Sequence, residues 1–150
     1  RHLREAILLG YLYDMEQEWM QNNPDKLFTQ VLNDGKSRKQ RGFNYVEEYG
    51  HCVTPLWISV SPLYTMPLDK WIQNGFAAKS TLKKLIFMSL QIAYSVELIH
   101  TIPAGPFHHT DLQPRQFLLD ENDNVYINDF NRGKFQPFYF DDETGKIEKC

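Results

Sequence analysis

The sequence predicts an α+β fold of one-domain size. Three observations predict this class: a long apolar helix over residues 80–100, strand signals over residues 43–64, and the short apolar runs "FLL" and "VYI" around an Asx-rich turn. The 150 residues are 42% hydrophobic and 23% charged, which is enough for one domain with a core. A net charge of −3 gives no basic field for nucleic acid, and the longest apolar run is too short to span a bilayer.

The chain is expected to begin with a helix over residues 3–20. One face of this helix carries Leu3, Ala6, Ile7 and Tyr11. Residues 21–42 are polar and contain the basic run "KSRKQR", which favours a solvated loop or insertion. A docking patch for an acidic partner is the alternative.

Two strand signals follow in residues 43–64. "FNYV" is aromatic and β-branched, and "LWISV" is a compact apolar run closed by Ser61 and Pro62. A short helix is expected after Pro67, in "PLDKWI". Its inward-facing residues are expected to be Leu68, Trp71 and Ile72.

Residues 80–100 give the strongest helix signal, with Ser80 as the expected N-cap and Pro103 and Gly105 ending the helix. Apolar residues at helical spacing cover two faces, so wide burial is expected. The first face carries Leu82, Leu85, Ile86, Ile92, Ala93, Val96 and Ile99, and the second carries Phe87, Leu90, Tyr94 and Leu98.

The runs "FLL" and "VYI", separated by "DENDN", predict a β-hairpin that carries the chain from Asp111 to Asp129. Because a hairpin returns the chain close to where it began, the two carboxylates are expected on neighbouring loops. Such a pair suits a hard cation such as Mg²⁺, or acid–base chemistry. The alternative is that each aspartate only caps a local turn. The tail "FQPFYFDDETGKIEKC" shows little periodicity.

Two motifs in this region resemble those of the protein kinases. "HHTDLQPRQFLL" resembles the catalytic loop, H-R-D-L-K-P-x-N followed by a short apolar strand, and "VYINDFN" resembles the strand and D-F-G motif that follow. The matching residues are His109, Asp111, Leu112, Pro114, Phe117, Leu118, Leu119, Asp129 and Phe130. The 18-residue separation of the two aspartates is also that of the kinase pattern. The resemblance implies a two-lobe kinase-like fold that binds ATP and Mg²⁺ and phosphorylates a protein hydroxyl, with Ser/Thr and Tyr both open.

The resemblance assigns roles to individual residues. Asp111 would accept the proton of the substrate hydroxyl, and Asp129 would hold Mg²⁺ against the ATP phosphates. Gln113 stands where many kinases have a lysine, and Arg115 would restore that positive charge, as an arginine does in tyrosine kinases. Gln116 stands where the family has a Mg²⁺-binding asparagine. Its side chain is one methylene longer, which moves the amide oxygen, so Gln116 would ligate Mg²⁺ only if the loop shifts.

Further positions depart from the kinase pattern. Asn131 replaces the glycine of D-F-G, and asparagine is the next most tolerant residue for left-handed backbone. Thr110 replaces the arginine that clamps a phosphorylated activation loop in many kinases, so control by that clamp is not expected. His109 is expected to be a structural residue packed near Phe130.

Upstream, the resemblance implies that residues 1–64 form small-lobe elements and the hinge, with the polar insertion near 21–42. Residues 65–150 would begin the large lobe and enter the activation segment. "LWISVSPLY" would provide the last small-lobe strand and the hinge that holds adenine, and Glu5 would pair with the ATP-binding lysine. Cofactor-binding residues are therefore expected at Glu5, Ser59, Ser61, Tyr64, Gln116 and Asp129.

The chain contains no G-x-G-x-x-G, no V-A-I-K-like strand and no A-P-E after Asp129. We therefore expect a piece of a kinase domain, with the phosphate-covering loop and the lysine before Arg1 and the rest of the large lobe after Cys150. The two cysteines form neither a disulfide framework nor a zinc spacing, which favours a reducing, intracellular and cytoplasmic setting.

Three alternatives remain open at this point. A pseudokinase, a binding module with the same fold, would also carry the amides that replace the lysine, asparagine and glycine of the family. Small-molecule kinases of the aminoglycoside or choline type have a similar H-x-D-x-x-x-x-N followed by an aspartate after a hairpin. A metallohydrolase would use His108, His109 and Asp111.

Overall fold

The structure is a computed structural model that describes residues 2–26, 28–31, 38–47, 50–52, 58–102, 106–136, 138–141 and 146–149. It is mixed α+β with small antiparallel sheets, which confirms the predicted class. Its described helices are α1 (His2–Asn22), α2 (Leu68–Gln73), α3 (Phe76–Lys79) and α4 (Leu82–His100). Its described strands are β1 (Phe28–Val31), β2 (Arg38–Arg41), β3 (Gly50–Cys52), β4 (Ile58–Val60), β5 (Met66–Pro67), β6 (Phe107–His108), β7 (Phe117–Leu119), β8 (Val125–Ile127), β9 (Lys134–Phe135), β10 (Phe138–Asp141) and β11 (Lys146–Lys149).

The predicted hairpin is confirmed and lies in a three-stranded antiparallel sheet of order β5-β7-β8. The register of β7 against β8 pairs Phe117 with Ile127 and Leu119 with Val125. At the turn, Oδ1 of Asp120 accepts hydrogen bonds from the backbone N–H of Asn122 and Asn124, at 2.8 and 2.9 Å. An aspartate that bonds the backbone two residues on closes an Asx turn, so the "DENDN" segment turns as its sequence predicts.

The other described strands form antiparallel pairs, β1–β2, β3–β4, β6–β9 and β10–β11. The prediction of a loop over residues 21–42 was wrong where β1 and β2 pair, and the tail also contains a strand pair. "LWISV" is confirmed in part by β4, while residues 53–57 lie outside the described chain. "FNYV" was wrong as a strand, because only Tyr45 forms an isolated parallel bridge, to Ile127.

The predicted helices α2 and α4 are confirmed, and α2 begins directly after Pro67. The N-cap of α4 is Thr81, whose Oγ1 accepts from the backbone N–H of Lys84 at 3.3 Å. Ser80 was therefore the wrong cap by one residue, and its hydroxyl instead donates to the carbonyl of Phe76 at 2.8 Å. The predicted terminators Pro103 and Gly105 lie outside the described residues.

Wide burial of α4 was a wrong prediction. Its buried side chains are Met88, Gln91, Ser95, Leu98 and Ile99. Its exposed apolar side chains are Leu82, Ile86, Phe87, Leu90 and Tyr94. Apolar spacing shows which residues share a face but not which face meets the sheet, and here the face that meets β8 includes polar residues. Ile72 of α2 was misplaced in the same way and is 48% exposed, whereas Leu68 and Trp71 are buried.

None of the helices in the described ranges has both the length and the hydropathy that a membrane span needs.

The buried stripe of α1 differs from the predicted one. Leu8, Leu9 and Leu12 lie in the core, whereas Ile7 is 56% exposed. The stripe continues to Glu16, which is fully buried. Because a carboxylate follows the leucines on this face, a search for apolar periodicity alone selected the neighbouring face instead.

The buried carboxylate of Glu16 fastens α1 to the segment that follows β2. Its Oε1 accepts from Nε of Arg41 at 2.8 Å and from the backbone N–H groups of Gly42 and Phe43 at 2.8 and 3.0 Å. Its Oε2 accepts from the hydroxyl of Tyr45 at 3.0 Å. A buried carboxylate is tolerated only when such donors replace water, so this set of four explains its presence in the core.

The same segment is joined to β8. The N–H of Val46 donates to the carbonyl of Ile127 at 2.9 Å, and the N–H of Ile127 donates to the carbonyl of Asn44 at 3.1 Å. The side-chain amide of Asn44 also donates to the carbonyl of Val125 at 3.0 Å. Residues 41–46 thus bind Glu16 of α1 at one end and β8 at the other, and β8 leads to Asp129.

Substitutions on the buried and the exposed face of α1 test its orientation directly. We expect Leu8→Ala to lower the free energy of unfolding by about 2–5 kcal/mol, because it leaves a cavity in the core. Ile7→Ala, the adjacent matched change on the exposed face, should alter it by no more than about 0.5 kcal/mol. Urea unfolding of the two variants measures both values, and equal losses would contradict the orientation of α1.

Glu16→Gln is expected to lower the free energy of unfolding by about 3–5 kcal/mol, because it removes one partner of a buried ion pair and leaves Arg41 undercompensated. Glu18→Gln, two residues on and exposed, is the matched control and should change it by less than about 0.5 kcal/mol. Differential scanning calorimetry compares the two, and a stable Glu16→Gln protein would show that the network does not support the fold.

Candidate active site

The structure brings Asp111 and Asp129 together. Asp111 lies three residues after β6, and Asp129 lies two residues after β8. The side-chain nitrogen of Gln116, on the short 3-10 turn Pro114–Gln116, lies 3.2 Å from Oδ2 of Asp111 and 3.1 Å from Oδ2 of Asp129. One amide group therefore bridges the two carboxylates, which lie close together on neighbouring loops as the hairpin predicted.

Two residues of the site have left-handed backbone. Thr110 has a φ of 64° and Asp129 a φ of 60°. A β-branched residue at positive φ is strained, and the hydroxyl of Thr110 donates to the carbonyl of Arg132 at 2.9 Å in compensation. The left-handed tolerance noted for Asn131 is not used there, because Asn131 lies in the 3-10 turn Phe130–Arg132 and the left-handed residue is Asp129.

The carboxylate of Asp111 is surrounded by donors. Gln113 donates its amide to Oδ1, and Gln116 donates to Oδ2. The guanidinium groups of Arg115 and Arg132 lie 3.6 and 3.8 Å from Oδ2, and these two side chains are 59% and 62% exposed. Desolvation of the carboxyl raises its pKa, but the hydrogen bonds from the two glutamines and the charges of the two arginines outweigh it, so the pKa of Asp111 lies below its usual value.

Both oxygens of Asp129 also accept hydrogen bonds. Asn131 donates its side-chain amide to Oδ1 at 2.8 Å, and Gln116 donates to Oδ2. Sequence reasoning missed the contact from Asn131 and the proximity of Arg132 to Asp111. The signal for the Asn131 contact was present in "NDFNRG", because a residue two positions after an aspartate falls within reach of it when the chain turns tightly. The proximity of Arg132 to Asp111 joins residues 21 positions apart and had no local signal.

His109 is buried and lies against Phe130, with ring centroids 5.5 Å apart. Its Nε2 donates to the carbonyl of Asn128 at 2.7 Å, which fixes the loop that precedes Asp129. His108 is exposed, and its Nε2 lies 2.9 Å from Oε1 of Gln136. The two imidazoles therefore face different partners, and the described residues contain no group of three or more His, Cys, Asp and Glu side chains that could hold a metal ion.

Glu5 reaches the site from α1. Its Oε1 accepts from the backbone N–H of Phe130 at 3.1 Å. The expected partner of Glu5 was a lysine, and one contact of Glu5 in the structure is with the residue next to Asp129. A small cavity adjoins this contact and is lined by Glu5, Leu9, Val46, Glu47, Ser61, Asn128 and Phe130. Ser61, one of the predicted cofactor-binding residues, thus shares a cavity with Glu5.

The remaining predicted residues are Ser59, in β4, and Tyr64, between β4 and β5. Ser59 is the central residue of β4 and pairs with His51 of β3. The ring of Tyr64 packs against Tyr126, with centroids 5.1 Å apart. The hydroxyl of Tyr126 in turn donates to Oδ2 of Asp120 at the hairpin turn. Tyr64 therefore packs on Tyr126 of β8, the neighbour of Ile127, to which Tyr45 forms its bridge.

No model of a known protein family matches the chain, and a search of curated proteins also returned no match.

The pKa of Asp111 gives a test of the donor set. We expect this pKa to lie below the ordinary value of about 3.9, and Gln113→Ala to raise it, because the variant loses a hydrogen bond to the charged form. Since the folded pKa is depressed, the stability that Asp111 contributes is present above the unfolded pKa and is lost as pH falls through the folded one.

Carbon-detected NMR of the carboxyl groups measures this titration. Gln73→Ala is the matched control, because Gln73 is exposed on α2 and contacts Lys70, and it should leave the pKa of Asp111 unchanged. An Asp111 that titrates at its ordinary value in the unmodified protein would contradict the arrangement of donors.

Proposed function

We propose that the chain is part of a protein kinase-like phosphotransferase that moves the γ-phosphoryl group of ATP to a protein hydroxyl. The observation that carries the proposal is the convergence of Asp111 and Asp129 on Gln116, at 3.2 and 3.1 Å. These three residues occupy the general base, metal-ligand and asparagine positions of the kinase pattern.

Asp111 is the proposed general base. In the reaction the substrate oxygen attacks the γ-phosphorus, ADP leaves, and the hydroxyl proton passes to a carboxylate oxygen of Asp111. The hydrogen bonds from Gln113 and Gln116 hold this carboxylate in one orientation. An ordinary aspartate is ionised at neutral pH, as a base must be, and the donors that lower the pKa of Asp111 further favour this charged form.

Arg115 and Arg132 are the proposed source of positive charge. Both guanidinium groups lie beside Asp111 and are more than half exposed, so they remain accessible to a phosphate group. An arginine is protonated at every physiological pH and its planar fork matches phosphate oxygens. In this assignment two arginines take the place of the lysine that Gln113 replaces.

The donor set fits a hard cation in part. Asp129 offers carboxylate oxygens, and Gln116 offers an amide oxygen if its side chain turns. A Mg²⁺ ion bound there would neutralise charge on the ATP phosphates. The residues that hold Asp129 in place are His109, through the carbonyl of Asn128, and Glu5, through the N–H of Phe130.

The position of α1 supports the small-lobe assignment. In the kinase pattern a helix carries a glutamate toward the nucleotide site, and here Glu5 of α1 meets the residue that follows Asp129. Phe130 also lines the cavity that Glu5 shares with Ser61, and we assign this cavity to the ATP side of the site. Residues 61–64, which follow β4, are the proposed hinge.

A pseudokinase is the second candidate, and one observation favours it. The amides of Gln116 and Asn131 satisfy both oxygens of Asp129 without a cation, and both amides replace family residues. A binding module with the same fold would keep this arrangement while losing phosphoryl transfer. For the phosphotransferase, the class of acceptor is still to be determined. A small-molecule kinase would have the same two aspartates in the same arrangement as a protein kinase.

We expect Asp111→Asn to lower turnover of the full-length protein by at least ~100-fold, the scale of a lost general base. The readout is transfer of labelled phosphate from ATP to peptide arrays and, separately, to aminoglycosides and choline. Asp14→Asn, an exposed change on α1, is the control and should retain full turnover. Equal turnover in the Asp111→Asn and unmodified proteins would contradict the assignment of the base.

ATP binding is tested without knowledge of the acceptor by thermal melting with ATP and Mg²⁺, each alone and then together. At one hundred times the dissociation constant the ligand should stabilise the fold by about 2.7 kcal/mol. We expect a shift that requires both ligands and that Asp129→Ala abolishes. Melting that responds to none of these additions would favour the pseudokinase.

A further inference from the structure

The carboxylate of Asp129 is held by two side-chain amides, one on each oxygen. Asn131 donates to Oδ1 at 2.8 Å and Gln116 donates to Oδ2 at 3.1 Å. Both contacts have ordinary hydrogen-bond lengths. We call this pair of donors the amide clamp.

The clamp presents only N–H groups to Asp129. A side-chain amide has a donor end and an acceptor end, and only the nitrogen end is attracted to a carboxylate oxygen. Gln116 directs its nitrogen to Asp111 and Asp129 together, so its oxygen faces away from both carboxylates. A cation binds oxygen, so Gln116 becomes a ligand only after its amide turns over and gives up both contacts.

Asn131 is committed to the same carboxylate. Its Oδ1 is buried and has no hydrogen-bond partner among the residues that the structure describes. Nothing in that part of the chain therefore draws the amide away from Asp129. The 3-10 turn Phe130–Arg132 holds Asn131 two residues from Asp129, and the left-handed backbone of Asp129 brings the two side chains together.

We infer that Asn131 and Gln116 set the affinity of Asp129 for a divalent cation, by competing with the cation for the two carboxylate oxygens. The inference rests on the proposed function in one respect, that Asp129 is the cation ligand. It adds the two residues that determine how readily the ion enters. A glycine at position 131 has no amide side chain, and a shorter asparagine at position 116 does not span both carboxylates in the same way.

The clamp is tested by titrating the full-length protein with Mn²⁺, a paramagnetic stand-in for Mg²⁺, and counting free ion by electron paramagnetic resonance. We expect Asn131→Ala and Asn131→Gly to bind Mn²⁺ about tenfold to a hundredfold more tightly, the scale of one lost hydrogen bond to a charged group. Asn122→Ala removes an exposed amide from the hairpin turn and should leave Mn²⁺ affinity unchanged. Melting curves first establish that each variant is folded. If one of the two position 131 variants does not fold, the other carries the test.

Asp129→Ala separates the two proposals. If it abolishes Mn²⁺ binding while the position 131 variants bind more tightly, the clamp is supported, whether or not phosphoryl transfer is found. If it abolishes binding while the folded position 131 variants bind with unchanged or lower affinity, the clamp is wrong and Asp129 remains a cation ligand. Unchanged Mn²⁺ binding in Asp129→Ala would overturn the cation assignment and the clamp together.

Discussion

The position of α1 depends on the hydrogen bonds that the buried carboxylate of Glu16 accepts. This carboxylate is fully buried and accepts hydrogen bonds from Arg41, Tyr45 and two backbone N–H groups. A charge in the core costs several kcal/mol unless such partners surround it, so α1 has one favourable rotation and depth. In that placement the leucines of α1 face the core and Glu5, about three turns earlier on the helix, reaches the backbone of Phe130.

The geometry of the site depends on hydrogen bonds that fix the backbone before and after Asp129. Asp129 follows β8 with a left-handed φ, and its neighbours are fixed by His109 before it and Glu5 after it. Thr110 takes a similar strained conformation beside Asp111 and is tied to Arg132. Strain of this kind persists only where surrounding contacts over-determine it, and here it lies next to both carboxylates. Of the three non-glycine residues with positive φ in the described ranges, Thr110 and Asp129 lie at the site and Asp123 lies in the hairpin turn.

The balance of charge distinguishes the two aspartates. Asp111 has two arginines and two amides around it, which favour its ionised form and lower its pKa. Within the described ranges, the hydrogen bonds to the two oxygens of Asp129 come from side-chain amides. One carboxylate thus lies beside two positively charged groups, whereas the hydrogen bonds described for the other come from neutral amides. This difference agrees with the roles proposed for Asp111 as the base and for Asp129 as the cation ligand.

The sequence by itself determined the elements whose signal is local. The hairpin β7–β8 was predictable because an Asx turn and two apolar runs are adjacent in the chain, and this hairpin was enough to bring Asp111 and Asp129 together. Tertiary structure decided which helix faces are buried, because α1 uses the stripe that ends in Glu16 and α4 uses a face with Gln91 and Ser95. It also decided the donors around the carboxylates, since the distance from Glu5 to Phe130 and the turn at Asn131 follow from packing and backbone angles that no local pattern records. Periodicity counts apolar side chains, whereas these contacts are made by buried polar groups, which is why the chain alone did not reveal them.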